Sequence, residues 1–395
     1  MMQNWRRGEA GAFLERGEAL EQTGRLDEAM SEFKRAVRAD PGLPEAHMAL
    51  GYHYRRKGLL SKAAEEFHTA ASLAPSYDAF FNLGHVLVDI GRCDDAVAAF
   101  RRCLELAPGD AASGYELAYA HYAGGGFADA LAQVSDLLHR SPDDWELNYL
   151  AGSCELGLGH YEAAQEALQR ALTLIPAQED DTELREALEV ALRHREFHNP
   201  DPGDIKARLY AEHGIIYLGT LGDDGLHCSV QARQRLSYQD LGRLLQRFHA
   251  LRLRWRWRFD CVVAVDDLST PLALAFARTL QAPLQQTHEA SPGSFSLLVW
   301  ATVTVPELLT VVAERMVGPY ITLAAAMDEA ALERVIPDVV GVVCQGPITL
   351  PWDGHRGRGG ATPAAREIVA NVKSLPPDGN LSAQVSYYAR LHRRL

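Results

Sequence analysis

Between residues 51 and 108 the chain reads Gly51, Gly58, Ala63, Phe67 and Pro75, and then, in the same order, Gly84, Gly91, Ala96, Phe100 and Pro108. The comb extends outward in both directions. Upstream lie Gly17, Gly24, Ala29, Phe33 and Pro41; downstream lie Ala118, Gly125, Ala130, Val134 and Pro142, followed by Gly152, Gly159, Ala164, Leu168 and Pro176. Successive teeth step by 34, 33, 34 and 34 residues, and the missing residue falls between Pro75 and Gly84, in a turn. A small residue opposite an alanine lets two helices approach closely. The intervening glycine ends the first helix and the proline stops the second.

This pattern resembles the tetratricopeptide (TPR) repeat over roughly residues 10–178. The resemblance implies an all-α solenoid of five helical hairpins, each burying its apolar face on its neighbours. Asp181–Leu192, with Leu184, Leu188, Ala191 and Leu192 on one face, supplies a capping helix. It also implies a concave wall lined by the first helix of each hairpin. Met48, Tyr52, Arg55 and Arg56 fall there from repeat two, and Phe81, Asn82, His85 and Asp89 from repeat three. Tyr115, Glu116, Tyr119 and Tyr122 follow from repeat four, and Tyr149 from repeat five. Aromatic rings with polar tips are what a peptide-binding groove uses. The lysine, asparagine and arginine set by which some TPR domains clamp a terminal carboxylate is not present, with Asn82 alone at one of its places.

The net charge of −13 is unevenly divided. Residues 1–200 carry 19 Lys+Arg against 33 Asp+Glu, giving −14, and residues 201–395 carry 20 against 19, giving +1. The acidic half disfavours nucleic acid through long-range repulsion. No run of about 18 apolar residues is present, so no membrane span is expected. The opening residues carry no secretory signal pattern, and Cys93, Cys103, Cys154, Cys228, Cys261 and Cys344 never approach CxxC spacing. Scattered thiols of this kind fit a reducing, cytoplasmic setting without a zinc or redox role. Arginine heavily outnumbers lysine, as in a GC-rich bacterial genome. His194 and His198 are spaced to share a metal on a helix, but Asn199-Pro200 ends the helix and no third ligand is evident, so no metal is expected.

Asn199–Gly203 is a cluster of breakers and marks the boundary, with residues 199–204 as linker. Beyond it, Gly214–Gly219 reads as a strand, Gly222–Gly225 as a turn and Leu226–Val230 as a return strand, followed by a helix with Leu241, Leu244, Leu245 and Phe248. Short apolar runs then alternate with helical patterns. Strands are expected at Cys261–Val265, Ser296–Trp300, Tyr320–Ala325 and Val339–Cys344, with helices at Pro271–Gln281, Pro306–Met316 and Glu329–Val335. That alternation argues for an α/β domain over 205–350 with a mostly parallel, doubly wound sheet.

Phe259–Ala275 resembles a phosphoribosyltransferase segment: a strand, the acidic pair Asp266 and Asp267, then Leu268, Ser269 and Thr270 opening a helix. In that family an acidic pair holds ribose hydroxyls of phosphoribosyl pyrophosphate, loop amides cradle the phosphate and magnesium bridges the pyrophosphate. Two registers fit. In the first, Asp266 and Asp267 are that pair. In the second, adopted here because it accounts also for Tyr320–Cys344, the segment is the earlier pyrophosphate loop and Leu297–Pro306 supplies the phosphate loop. Trp300-Ala301 then stands where the carboxylates belong, and Pro271 removes an amide from the other cradle. The expectation is a degenerate, non-catalytic domain without cofactor. Its alternative is an active magnesium-dependent enzyme using Asp266 and Asp267.

Leu251–Phe259 alternates apolar residues with Arg252, Arg254, Arg256 and Arg258. It reads as an edge strand whose arginines face solvent or meet the acidic array within the chain. RNA binding through them is the second alternative. Gly354–Gly360 reads as a mobile cationic loop opening a helical tail over 351–395, which ends in the basic residues Arg390–Leu395. The whole is read as a cytoplasmic adaptor: a TPR solenoid over 1–198 holding a partner peptide, and a pseudo-enzyme domain for docking or ligand sensing.

Overall fold

The computed structural model describes residues 2–196, 205–222, 234–286, 291, 293–303, 305–353 and 358–389. The chain divides into two compact units, Met1–Ala191 and Leu192–Leu395.

In the first unit, α1 (Met2–Gln22) pairs with α2 (Leu26–Ala39), α3 (Pro44–Arg56) with α4 (Leu60–Leu73), and α5 (Tyr77–Asp89) with α6 (Cys93–Leu106). Next come α7 (Ala111–Ala123) with α8 (Phe127–Arg140), α9 (Trp145–Gly157) with α10 (Tyr161–Leu174), and then α11 (Thr182–Glu196). These are the five hairpins and the capping helix. Gly24, Gly58, Gly91, Gly125 and Gly159 all sit in the left-handed region, at φ between 70° and 78°. That conformation lets the next N–H reach back to close the helix, as Leu59 does to Tyr54 O at 2.9 Å and Arg92 to Leu87 O at 2.8 Å. The shortened repeat loses its residue between α4 and α5, where Ser76 still caps the helix by accepting from Ala79 N.

The tight positions are equally regular. A Cβ on Gly51 would stand 2.7 Å from the Phe67 ring, and one on Gly84 2.5 Å from the Phe100 ring. Repeat four carries Ala118 instead, and there the facing residue is the smaller Val134. The apolar core therefore trades volume across each helix pair.

Among the described residues, the second unit holds a six-stranded sheet. Its strands are β1 (Ile216–Tyr217), β3 (Cys261–Ala264), β4 (Leu284–Gln285), β5 (Ser296–Val303), β6 (Tyr320–Asp328) and β7 (Val339–Cys344), in the order β1-β7-β6-β5-β3-β4. All its pairs are parallel, with Leu297 opposite Ile321 and Ala324 opposite Val340. A separate parallel pair joins β2 (Gln234–Arg235) to β8 (Ile348–Thr349). Alternate residues of β5 feed two cores. Leu297, Val299 and Ala301 pack with α13 (Tyr238–Trp255), α14 (Thr270–Leu280) and α16 (Arg358–Ser374). Leu298, Trp300 and Val303 pack with α12 (Ile205–His213) and α15 (Glu307–Ala313). Helices thus cover both faces, as a parallel sheet requires.

Two expectations need correction. Leu251–Phe259 is not a strand. Ser237 opens α13 with a capping box, accepting from Asp240 N at 3.1 Å while Asp240 accepts from Ser237 N at 2.9 Å. Leu241, Leu244, Leu245, Phe248 and Leu251 then form one buried helical stripe, and it carries the helix to Trp255. Arg256, at φ 60°, ends it. Arg252 and Arg254 lie in the last turn, while Arg256 and Arg258 lie beyond it, so the four share no strand face. The outer alternation is real only as stacking, with Trp255 and Trp257 ring centroids 4.8 Å apart.

Of Gly214–Gly219, Ile216–Tyr217 form the strand β1. Its two strand residues pair with β7, Ile216 opposite Val339, and the return strand Leu226–Val230 lies outside the described residues. The two compact units divide between Ala191 and Leu192, in α11, and the breaker cluster Asn199–Gly203 lies outside the described residues. Arg193 on the last turn of α11 donates to Ala211 O of α12 at 3.2 Å. The reading of Gly354–Gly360 as one loop is also corrected. Arg358–Gly360 already belong to α16, and Ala365, Ile368 and Tyr388 (on α17, Leu381–Ala389) are fully buried in the core. Residues 354–357 and 390–395 lie outside the described residues.

Candidate functional site

The first helices α3, α5, α7 and α9 carry the wall residues. Between repeats two and three they are tied together: Arg55 donates to Asn82 Oδ1 at 3.2 Å, and Asn82 donates to the Tyr52 hydroxyl at 2.9 Å. Phe81 stacks on Tyr77 at 5.3 Å and meets His85 edge-on at 4.7 Å. Phe81 and His85 also close over the buried Phe100 ring, at 5.9 and 5.6 Å, so they are half packing and half surface.

Repeats four and five are different in character. Tyr119 is exposed, and its ring centroid is 6.2 Å from that of Tyr122. Tyr115, Tyr122 and Tyr149 are half-buried. Burial, followed by the charges of Glu146 and Glu116, pushes the Tyr115 phenol up to about 12. Glu116 is held above its ordinary value by burial first, then by Asp89 and Glu146. Its nearest base is His85, Nδ1 to Oε2 3.7 Å, whose own pKa is lowered by burial and then by Arg55. Glu146 and Glu183 were not among the wall residues read from the sequence. Glu146 occupies the second position of repeat five and was legible by the same register, whereas Glu183 sits on the capping helix, outside it. Glu183 nevertheless bears on both Tyr122 and Tyr149.

The second candidate is the turn after β3. Asp266 accepts from Ser269 N at 2.8 Å and from Ser269 Oγ at 2.5 Å, and its other oxygen accepts from the Trp300 indole at 3.2 Å. Ser269 Oγ in turn accepts from Ala301 N at 2.8 Å. The carboxylate and hydroxyl are thus used in capping the 3-10 turn Asp267–Ser269 and anchoring it to β5. Asp267 is exposed and Thr270 half-buried at the start of α14. Because β4 and β5 flank β3, the chain leaves this point in opposite directions, the arrangement that opens a crevice at strand ends.

Among the described residues, no three His, Cys, Asp or Glu side chains converge as metal ligands. His194 is buried, and His198 lies outside the described residues. Burial lifts the thiols of Cys103 and Cys344 to about 11 and that of Cys154 to about 12. No helix among the described residues is long and apolar enough to cross a membrane.

Among solved structures, the chain is similar to YrrB, described as a TPR protein with an unusual peptide-binding site. The identity is 23% over 42% of this chain and 86% of that one, with a TM-score of 0.39. It is similar to MamA from Desulfovibrio magneticus RS-1 at 19% identity, covering 44% and 98%, with a TM-score of 0.39. TTC0263, a TPR protein of Thermus thermophilus, is 22% identical, covering 46% and 98%, with a TM-score of 0.32. No curated protein matches the chain. The family model for the tetratricopeptide repeat matches residues 4–44, 14–78, 48–111, 81–125 and 115–179. With five hairpins in one register and the model matching along all of them, the N-terminal part of this chain, to about residue 180, is an array of tetratricopeptide repeats.

Proposed function

We propose that the protein is a non-catalytic adaptor that holds a partner peptide or helix against the concave wall of its repeats. The observation that carries this is the wall itself: Tyr52, Phe81, Tyr115, Tyr119, Tyr122 and Tyr149 recur on first helices, all at least partly accessible. Such rings bury large apolar area, and the tyrosine hydroxyls among them can donate or accept hydrogen bonds. The expected result is that Tyr119→Ala with Tyr149→Ala abolishes capture of partners retained by the wild-type chain, while circular dichroism shows the helical array still folded. Equal capture by the variant would place the partner site elsewhere. The adaptor is assigned to the cytoplasm, where its thiols stay reduced.

The α/β unit is proposed as a docking or ligand-sensing module resembling a phosphoribosyltransferase without its activity. Support comes from the use of Asp266 and Ser269 within the fold, and from Trp300 and Ala301 inside β5. Thermal-shift titration with phosphoribosyl pyrophosphate and magnesium is expected to give no saturable shift beyond that of ribose 5-phosphate or AMP. A ligand at a hundred times its Kd would stabilise by about 2.7 kcal/mol, well within detection. A specific shift removed by Asp266→Asn would establish the enzyme reading. RNA binding through Arg252, Arg254, Arg256 and Arg258 is less favoured, because they lie on a helix end and the segment after it.

A further inference from the structure

The repeats present two electrostatic environments along one wall. In repeat two the inward positions hold Arg55 and Arg56, with Glu45 at the second position. In repeats three to five the same positions include Asp78, Asp89, Glu116 and Glu146, and no lysine or arginine. The tyrosines stand among these carboxylates, with the Tyr119 and Tyr122 rings 6.2 Å apart and Tyr119 open to solvent.

Among the described residues, nothing within this stretch of the wall compensates the charge. Arg55 is turned to Asn82. His85 approaches Glu116 at 3.7 Å, but its lowered pKa leaves it neutral at pH 7. The raised pKa of Glu116 registers the result, since burial and two like-charged neighbours act on it together. An aromatic face attracts a cation through its quadrupole, and a carboxylate beside it adds charge. The occupant that complements rings and carboxylates at once is a guanidinium or ammonium group.

Resting on the reading of the concave wall as the partner site, we propose that repeats three to five bind a cationic peptide segment, seating an arginine or lysine side chain among Tyr115, Tyr119, Glu116 and Glu146. Arginine is preferred to lysine there, because its planar guanidinium stacks on a ring while still donating to a carboxylate. Repeat two, with Arg55 and Arg56, sets the polarity, so the cationic residue seats toward repeats four and five.

The test is selection of a displayed library of random 12-residue peptides on the full chain, followed by anisotropy titration of the selected peptides. Peptides enriched in arginine and lysine are expected. Their affinity should fall at least about tenfold for Glu116→Gln with Glu146→Gln, a pair of changes that keeps side-chain volume and removes repulsion. It should also weaken as salt shortens the screening length from about 10 Å at 0.1 M to about 3 Å at 1 M. Neutral or acidic peptides that depend on Tyr119 would overturn the cationic assignment and leave the wall as the partner site. Arginine-rich peptides bound equally by the glutamine variant would overturn it too. Selection of no peptide, or of peptides indifferent to every wall substitution, would remove the concave-wall reading along with it.

Discussion

Gly84→Ala is expected to destabilise the repeat array by about 1–3 kcal/mol, although it adds only a methyl group. The new Cβ would stand 2.5 Å from Phe100 Cζ, and this ring is fully buried. Phe100 has little room to retreat, because Phe81 and His85 pack edge-on against it. Phe100→Val alone should cost a comparable amount by leaving a cavity. Together the two changes reproduce the Ala118 and Val134 pair of repeat four, so the double variant should be more stable than the sum of the singles by about 0.5–3 kcal/mol. Urea unfolding of the four proteins measures that coupling. Additive effects, within about 0.5 kcal/mol, would show that the two positions do not share one volume.

The same pair explains why the array was so legible. A repeat imposes five copies of one constraint. The left-handed glycines Gly24, Gly58, Gly91, Gly125 and Gly159 and the small residues facing Phe33, Phe67 and Phe100 therefore stand out from the background. Most of the wall follows from the same register. Glu183 does not, because the capping helix lies outside the repeat. The mixed role of Phe81 and His85, part packing and part surface, is also invisible in a register, which assigns a direction but not a neighbour.

In the second unit the apolar runs located β3, β5, β6 and β7, since strands buried on both faces read as continuous apolar segments. Local pattern misled where a helix ended. In Leu251–Trp255 the period of two overlaid a helical stripe that began fourteen residues upstream of Trp255, at Leu241, and the longer pattern prevailed. The pairing of β1 with β7 joins residues far apart in sequence, and two residues of strand carry no signal of their partner. For Asp266 the residue types were plain, whereas the indole of Trp300 as its partner depends on the β3–β5 register.

Asp378→Ala is expected to destabilise the second unit by about 3–5 kcal/mol, the cost of removing one partner from a buried ion pair. Asp378 accepts from Arg247 Nε at 2.7 Å and has Arg243 Nη1 at 3.9 Å, and all three side chains are at most 7% exposed. The arginines also fasten distant parts of the chain. Arg247 donates to Leu218 O at 2.7 Å beside β1, and Arg243 to Pro376 O at 3.1 Å after α16. Burial alone would raise the Asp378 pKa, but the hydrogen bond and charge of Arg247, the Asn380 N–H and the charge of Arg243 outweigh it, leaving it lowered. A depressed folded pKa means that this stabilisation is complete above the unfolded carboxyl pKa of about 3.9 and is lost as pH falls through the folded value. Wild-type unfolding should therefore steepen with acidification below about pH 4, and Asp378→Asn should flatten that limb while costing less than the alanine at neutral pH. Tryptophan fluorescence reports it, since Trp255, Trp257, Trp300 and Trp352 all lie in the second unit. An acid limb unchanged in Asp378→Asn would show that the paired arginines do not hold this carboxylate ionised.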